Sequence, residues 1–294
     1  MVSDDFIKAG QIAAQAREYG RKLIKENAST LEIAEKIENK ITELGGKIAF
    51  PVDISCNHIA AHDSPIFNDA RLLKNGDLVK LDLGVHVNGY VVDTACTVEV
   101  GDAKHAEMIN AVEEALGEAI KIFKPGTKIG DVGARIEKII KDKNFSPVRN
   151  LSGHEVGYYT IHAGITIPNY NNGNQAELQE NQIFAIEPFA TTGDGIVIEG
   201  KPAEVYAMIN EKPVRDENTR MVLAFIKEDY KTLPFAKRWI AKKFNMLKAN
   251  IALTSMERTG IIKQYSRLVE RTKKPVAQAE HTVVVADNPI VLTK

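Results

Sequence analysis

Apolar positions recur at helical spacing in two pairs of segments. Ile12, Ala16, Tyr19 and Leu23 fall on one helix face, and after a Ser29/Glu32 capping box Ile33, Ile37, Ile41 and Leu44 repeat the pattern until Gly45-Gly46 ends it. The plan then restarts: Ile109, Val112, Leu116 and Ile120 predict a third helix that stops near Pro125-Gly126, and Val132, Ile136 and Ile139 predict a fourth. Between the pairs the pattern becomes extended. Residues 78–100, LVKLDLGVHVNGYVVDTACTVEV, are rich in β-branched side chains and broken once at Asn88-Gly89, a dipeptide suited to a two-residue turn, so they predict a β-hairpin.

The two halves also align in short pieces. IAEKIENKI (33–41) can be laid on VGARIEKII (132–140), and LLKNGDLVKLD (72–82) on ELQENQIFAIE (177–187). A duplicated helix-helix-strand-strand unit follows, and two such units make one α+β domain about a pseudo-two-fold axis. From 205 to 264 the pattern turns helical, with a break at Thr232-Leu-Pro, and only VAQAEHTVVVAD restores a strand. A lone strand needs partners from the earlier sheet to satisfy its backbone. The expected organisation is therefore a domain formed by 1–204 and 265–294 with a helical insertion subdomain at 205–264.

Composition narrows the class. With 294 residues, 44% apolar, 26% charged and 2 Cys, the chain has a globular make-up that excludes disordered, collagenous and coiled-coil architectures. No apolar run approaches the ~20 residues of a membrane span, and MVSDDF is acidic where a signal peptide is basic, so a cytoplasmic location is expected. Cys56 and Cys96 make no disulfide framework and are expected to be small buried apolar residues. Charge is uneven: residues 231–274 hold 12 Lys+Arg and 2 Asp+Glu, hence +10 against −11 elsewhere, with Lys237, Arg238, Lys242 and Lys243 crowded around Trp239. Such a segment is either a polyanion contact or a solvated face.

The candidate chemistry starts in the hairpin. A turn at 88–89 places Asp82 opposite Ala95 and Asp93 opposite Gly84, so 82, 84, 93 and 95 share a face. The other face is expected to carry Leu83, Val85, Val92 and Cys96, with Leu81 joining them only if the register slips. Two carboxylates in apolar strands resist burial unless a cation sits between them or water reaches them. Glu187 ends the strand IFAIEPFA and Glu280 interrupts AQAEHTVVV, each where a core strand would prefer an apolar residue. NLSGHEVGYYTIHAG adds His154 and His162. Four carboxylates and one of these imidazoles form a mostly hard donor set, suited to two divalent ions such as Mn, Fe, Co or Zn rather than to one closed structural zinc.

On AFPVDISCNHIAAHDSP (49–65), KLDLGVHVNGYVVDTACTV (80–98), NLSGHEVGYYTIHAG (150–164), FAIEPFA (184–190) and AQAEHTVVV (277–285), the whole chain resembles the archaeal branch of the type II methionine aminopeptidases, of the pita-bread (creatinase/aminopeptidase) fold. The resemblance implies that Asp82 holds one metal, that His154 and Glu187 hold the other, and that Asp93 and Glu280 bridge. It makes His62 and His162 non-ligand histidines that contact substrate, Glu187 the proton shuttle, and Phe50, Ile161, Phe189 and Tyr265 the methionine pocket. The implied function is removal of initiator methionine from nascent polypeptides; a monomer is expected, and because such chains emerge from the ribosome, a polyanion, part of the basic segment 231–274 is either a ribosome contact or an ordinary solvated face. Proline-specific pita-bread peptidases share the five ligands but carry a sizeable extra N-terminal domain, whereas a short stretch precedes AFPVD here; a non-catalytic ribosome- or RNA-binding relative should have lost ligands. One departure is visible, since Ala279 stands where a bulky aromatic is expected before the Glu-His pair.

Overall fold

The structure is a computed structural model that describes residues 2–101 and 103–294. Helix α1 (Asp4–Leu23) starts at Ser3, whose hydroxyl accepts from the Asp5 amide, and α2 (Thr30–Glu43) starts at Ser29, which accepts from the Glu32 amide. Strands β1 (Lys47–Cys56), β2 (Ile59–Ala61), β3 (Leu78–Val87) and β4 (Tyr90–Glu99) follow, then α3 (Ala106–Lys121) and α4 (Ile129–Asp142). The second half continues with β5 (Ser146–Pro147), β6 (Ser152–Glu155), β7 (Thr166–Pro168), β8 (Ile183–Ile186) and β9 (Phe189–Thr191). Next come β10 (Val197–Met208), α5 (Glu217–Asp229), β11 (Phe235–Ala236), α6 (Lys237–Phe244), α7 (Met246–Arg258) and β12 (Ile262–Glu270). The described chain closes with β13 (Val276–Gln278), β14 (His281–Val284) and β15 (Ile290–Val291).

Strands β1-β3-β4 form one sheet, and β13-β9-β5 and β15-β14-β8-β6-β7 form two more in the second half. In each half a helix pair covers the sheet. Ile12, Ile37 and Ile41 pack on Leu83, Val85 and Val92, and Val112, Leu116 and Ile136 pack on Phe184, Ile186 and Val283. The duplicated helices α2 and α4 have the same length, 14 residues each.

The hairpin has the anticipated register, Asp82 opposite Ala95 and Gly84 opposite Asp93. Leu81 differs from expectation. It pairs with Cys96 in this unslipped register and packs in the same cluster as Leu83 and Val85, as a side-chain period of two requires. Cys56 and Cys96 are free thiols, half-buried rather than buried.

Strand β10 pairs with β12 across 197–208 and 262–270, and β11 and β2 flank them. Helices α5 to α7 lie between those two strands around their own cluster of Val222, Ile226, Phe235, Ile240, Leu253 and Met256. No helix among the described residues is long and apolar enough to cross a membrane.

Candidate functional site

The two halves are joined where β4 meets the β13–β14 segment. The Glu280 amide donates to Ala95 O at 3.0 Å, the Asp93 amide to Thr282 Oγ1 at 2.8 Å, and Thr94 Oγ1 to Glu280 O at 2.9 Å. This seam fixes the carboxylates of Asp93 on β4 and Glu280 just before β14 side by side, and because β14 also pairs with β8, Glu187 just after β8 comes to the same place. His154 enters from β6, the other neighbour of β8.

One cavity of about 240 Å³ is lined by all eleven residues singled out from sequence: Phe50, His62, Asp82, Asp93, His154, Ile161, His162, Glu187, Phe189, Tyr265 and Glu280. Asp93, His154 and Glu280 are buried and present donor atoms within 4.8 Å of one another. His154 Nε2 lies 3.6 Å from Asp93 Oδ2 and 3.7 Å from Glu187 Oε1. Its Nδ1 sits 2.7 Å from Ile161 O, a carbonyl that can only accept, so the proton belongs on Nδ1 and the lone pair of Nε2 faces the carboxylates. His62 is oriented in the same way by Ser266 O at 3.3 Å from its Nδ1, and its ring meets Tyr265 edge-on at 5.8 Å. The His162 ring stands 4.3 Å from that of His154.

The electrostatics are those of a site short of positive charge. Burial, reinforced by mutual repulsion, pushes the carboxyls of Asp93, Glu187 and Glu280 well above the usual range, and burial pushes Asp82 up to about 6. Burial also holds His154 down to about 3 and His62 down to about 4, so neither imidazole supplies a counter-charge near neutral pH. Asp82 Oδ1, Asp93 Oδ1 and Glu280 Oε2 are buried without a hydrogen-bond partner. Buried carboxyl oxygens without partners, gathered in one cavity with an unprotonated imidazole nitrogen, fit divalent cations, which would supply the charge and the contacts those atoms lack.

Two groups at the site escaped the sequence reading. Gln278 Nε2 donates to Asp82 Oδ2 at 3.1 Å and to Glu187 Oε2 at 3.4 Å, bracing both carboxylates; its position at the end of β13, two residues before Glu280, was the available signal. Asp53 lines the cavity opposite Asp82 and accepts the His62 amide at 3.0 Å, where His62 has a left-handed φ of 62°.

The basic segment is less free than its composition suggests. Arg238 is 1% exposed, forms a two-pronged ion pair with Glu38 and donates to Pro65 O at 3.0 Å. Lys237 pairs with Glu204 and Lys242 with Glu35, while Lys243 stands 5.5 Å over the Phe225 ring. Helical spacing turns Arg238 to the same inward side as Ile240 and Ala241, which a count of charges does not reveal.

Residues 4–287 match metallopeptidase family M24. A methionine aminopeptidase of Pyrococcus horikoshii is 46% identical over 291 residues, covering 99% of this chain and 98% of that relative. The crystal structure of a methionine aminopeptidase from Rickettsia prowazekii is similar with a TM-score of 0.72 at 26% identity, over 100% of this chain and 98% of the other. The structure of a thermophilic Arx1, with a TM-score of 0.86 at 16% identity over 99% and 91%, shares the fold.

Proposed function

The chain belongs to metallopeptidase family M24 and is a metal-dependent aminopeptidase that removes N-terminal methionine, and we propose how its residues divide that work. Asp82, Asp93, His154, Glu187 and Glu280 would hold two divalent ions, with Asp82 on one, His154 and Glu187 on the other, and Asp93 and Glu280 shared between them. What supports this reading is the convergence of four acids and one oriented imidazole from both halves of the chain, with three carboxylate oxygens left unpartnered. Two ions from the set Co, Mn, Fe or Zn, when bound, supply Lewis acidity to the scissile carbonyl and lower the pKa of water.

The protein groups do the rest. Glu187 accepts the proton from the attacking water and returns it to the leaving amine, with Gln278 keeping its carboxylate oriented. His162 donates to the carbonyl oxygen as negative charge develops, and His62, whose Nδ1 is occupied by Ser266 O, offers Nε2 to the scissile amide. Phe50, Ile161, Phe189 and Tyr265 surround the methionine side chain and exclude water from it. Asp82 lies where a free α-ammonium would be read, so an acylated chain is refused.

We also propose that residues 205–264 form a helical insertion subdomain, and that the enzyme works as a cytoplasmic monomer on nascent chains. Lys242, Lys243 and Lys248, exposed on α6 and α7, would meet ribosomal RNA; Arg238 takes no part. The decisive assay joins metal analysis of protein purified without added metal to hydrolysis of Met-Ala-Ser. Release of methionine that requires a divalent metal, and fails with the formylated peptide, is expected; turnover by metal-free protein would sink the assignment.

A further inference from the structure

Five acids line the cavity, and four of them are assigned to metal; Asp53 on β1 is the fifth. It is buried and sits opposite Asp82 in the β1-β3 register, yet its Oδ2 is taken by a protein donor, the His62 amide at 3.0 Å. His62 needs that acceptor. The chain leaves β2 at Ala61, which pairs with Leu268 of β12, and turns alongside β1. His62 makes the turn with a φ of 62°, a conformation that a residue with a Cβ keeps only where its surroundings impose it.

The residues after the turn are fastened without Asp53. Asp63 O accepts from the Ile54 amide at 3.1 Å, the Asp63 amide donates to Ser55 Oγ at 3.3 Å, and Ser64 Oγ donates to Val52 O at 3.0 Å. The fully buried Asp63 carboxylate lies 2.7 Å from Arg71 Nη1 and 2.9 Å from Arg267 Nε. Because Arg267 follows Ser266, whose carbonyl holds His62 Nδ1, the ring of His62 and the carboxylate of Asp63 rest on consecutive residues of β12. The ring is thus anchored on β12 and the backbone amide on β1, and the two anchors together leave Nε2 one direction.

We infer that Asp53 is a positioning residue for the reaction: it holds the left-handed backbone of His62 so that Nε2 meets the scissile amide. This rests on the assignment of His62 to that amide. Asp53 acts as a hydrogen-bond acceptor for the turn, and the other bonds keep the loop in place when it is removed.

The test is steady-state hydrolysis of Met-Ala-Ser by the metal-loaded enzyme, with metal content measured on the same samples. Asp53→Ala should lower kcat at least tenfold, move KM less than threefold and keep the metal. Asp53→Asn, which keeps an acceptor oxygen of the same reach without the charge, should recover at least a third of wild-type kcat. In a His62→Ala background, Asp53→Ala should change kcat less than twofold, since no imidazole is left to orient. Should Asp53→Ala fail to fold, Asp53→Val fills the strand position without an acceptor and takes its place in each comparison. Four results overturn the proposal: wild-type kcat in Asp53→Ala; loss of metal from it, which makes Asp53 a ligand; Asp53→Asn as slow as Asp53→Ala, which makes charge the property that matters; and an undiminished loss in the His62→Ala background, which means that Asp53 acts elsewhere. Those results leave the role of His62 standing, whereas full kcat in His62→Ala alone removes that role and this proposal with it.

Discussion

At the scale of single residues, the site is a balance of buried negative charge against a cation. If Asp93 and Glu280 are shared metal ligands as proposed, Asp93→Ala or Glu280→Ala should abolish metal content and turnover together; a variant that keeps two metals and full kcat refutes those roles. His162→Ala should leave metal content intact and lower kcat about 10²–10³-fold, since it removes one contact to developing charge. If occupancy falls equally, His162 is a ligand. The raised carboxyls give a pH dependence whose sign is fixed. A carboxyl held above its unfolded value of ~4 favours the folded chain only while protonated, so that contribution in metal-free protein is lost as pH rises through about 6, the value for Asp82. Metal must displace the same protons. Apparent Mn affinity should therefore tighten from pH 5.5 to 7.5 with proton release, measurable by calorimetry in two buffers of different ionisation enthalpy. That Asp82, Asp93, His154, Glu187 and Glu280 share one cavity was legible because acids and histidines interrupt apolar strands. Gln278 was not, because an amide in a strand carries no charge to explain.

At the scale of elements, the hairpin was legible down to its register, since Asn88-Gly89 fixes the turn and the turn fixes every cross-strand pair. Gly84 shows what that register protects. A Cβ there would run into the Phe50 ring, so Gly84→Ala should displace Phe50 within the cavity it lines and raise KM with metal content unchanged. Helix α6 was read only as a run of charge. Its inward arginine closes against a glutamate two hundred residues earlier, and nothing local to either residue announces such a partner. Arg238→Ala should leave Glu38 buried and uncompensated and cost about 3–5 kcal/mol in denaturant titration. Exposed Lys243→Ala should change stability by no more than ~0.5 kcal/mol.

At the scale of the whole molecule, duplication explains why the candidate site's cavity sits on the seam, with acids and histidines from both halves. An apolar, partly aromatic pocket distinguishes methionine from a similar unbranched side chain by only ~1–3 kcal/mol. A peptide panel should rank Met first and norleucine next and reject Lys and Asp; a demand for proline at the second position would point instead to a proline-specific peptidase. If α6 and α7 meet ribosomal RNA, co-sedimentation with ribosomes should fall steeply with salt and be lost in a Lys242→Glu, Lys243→Glu, Lys248→Glu variant whose tripeptide hydrolysis is intact. Normal sedimentation of that variant leaves this face as ordinary surface.

The seam also sets an order of events during synthesis. Asp82 and Asp93 are made early, but the amide that locks Glu280 to Ala95 is translated nearly two hundred residues later, after the whole helical insert. A growing copy of this chain therefore carries an incomplete site for most of its birth, and it cannot trim its own first residue in that time. Activity begins only once the segment carrying Glu280 has closed onto β4, so it is the last-made part of the chain that switches the site on.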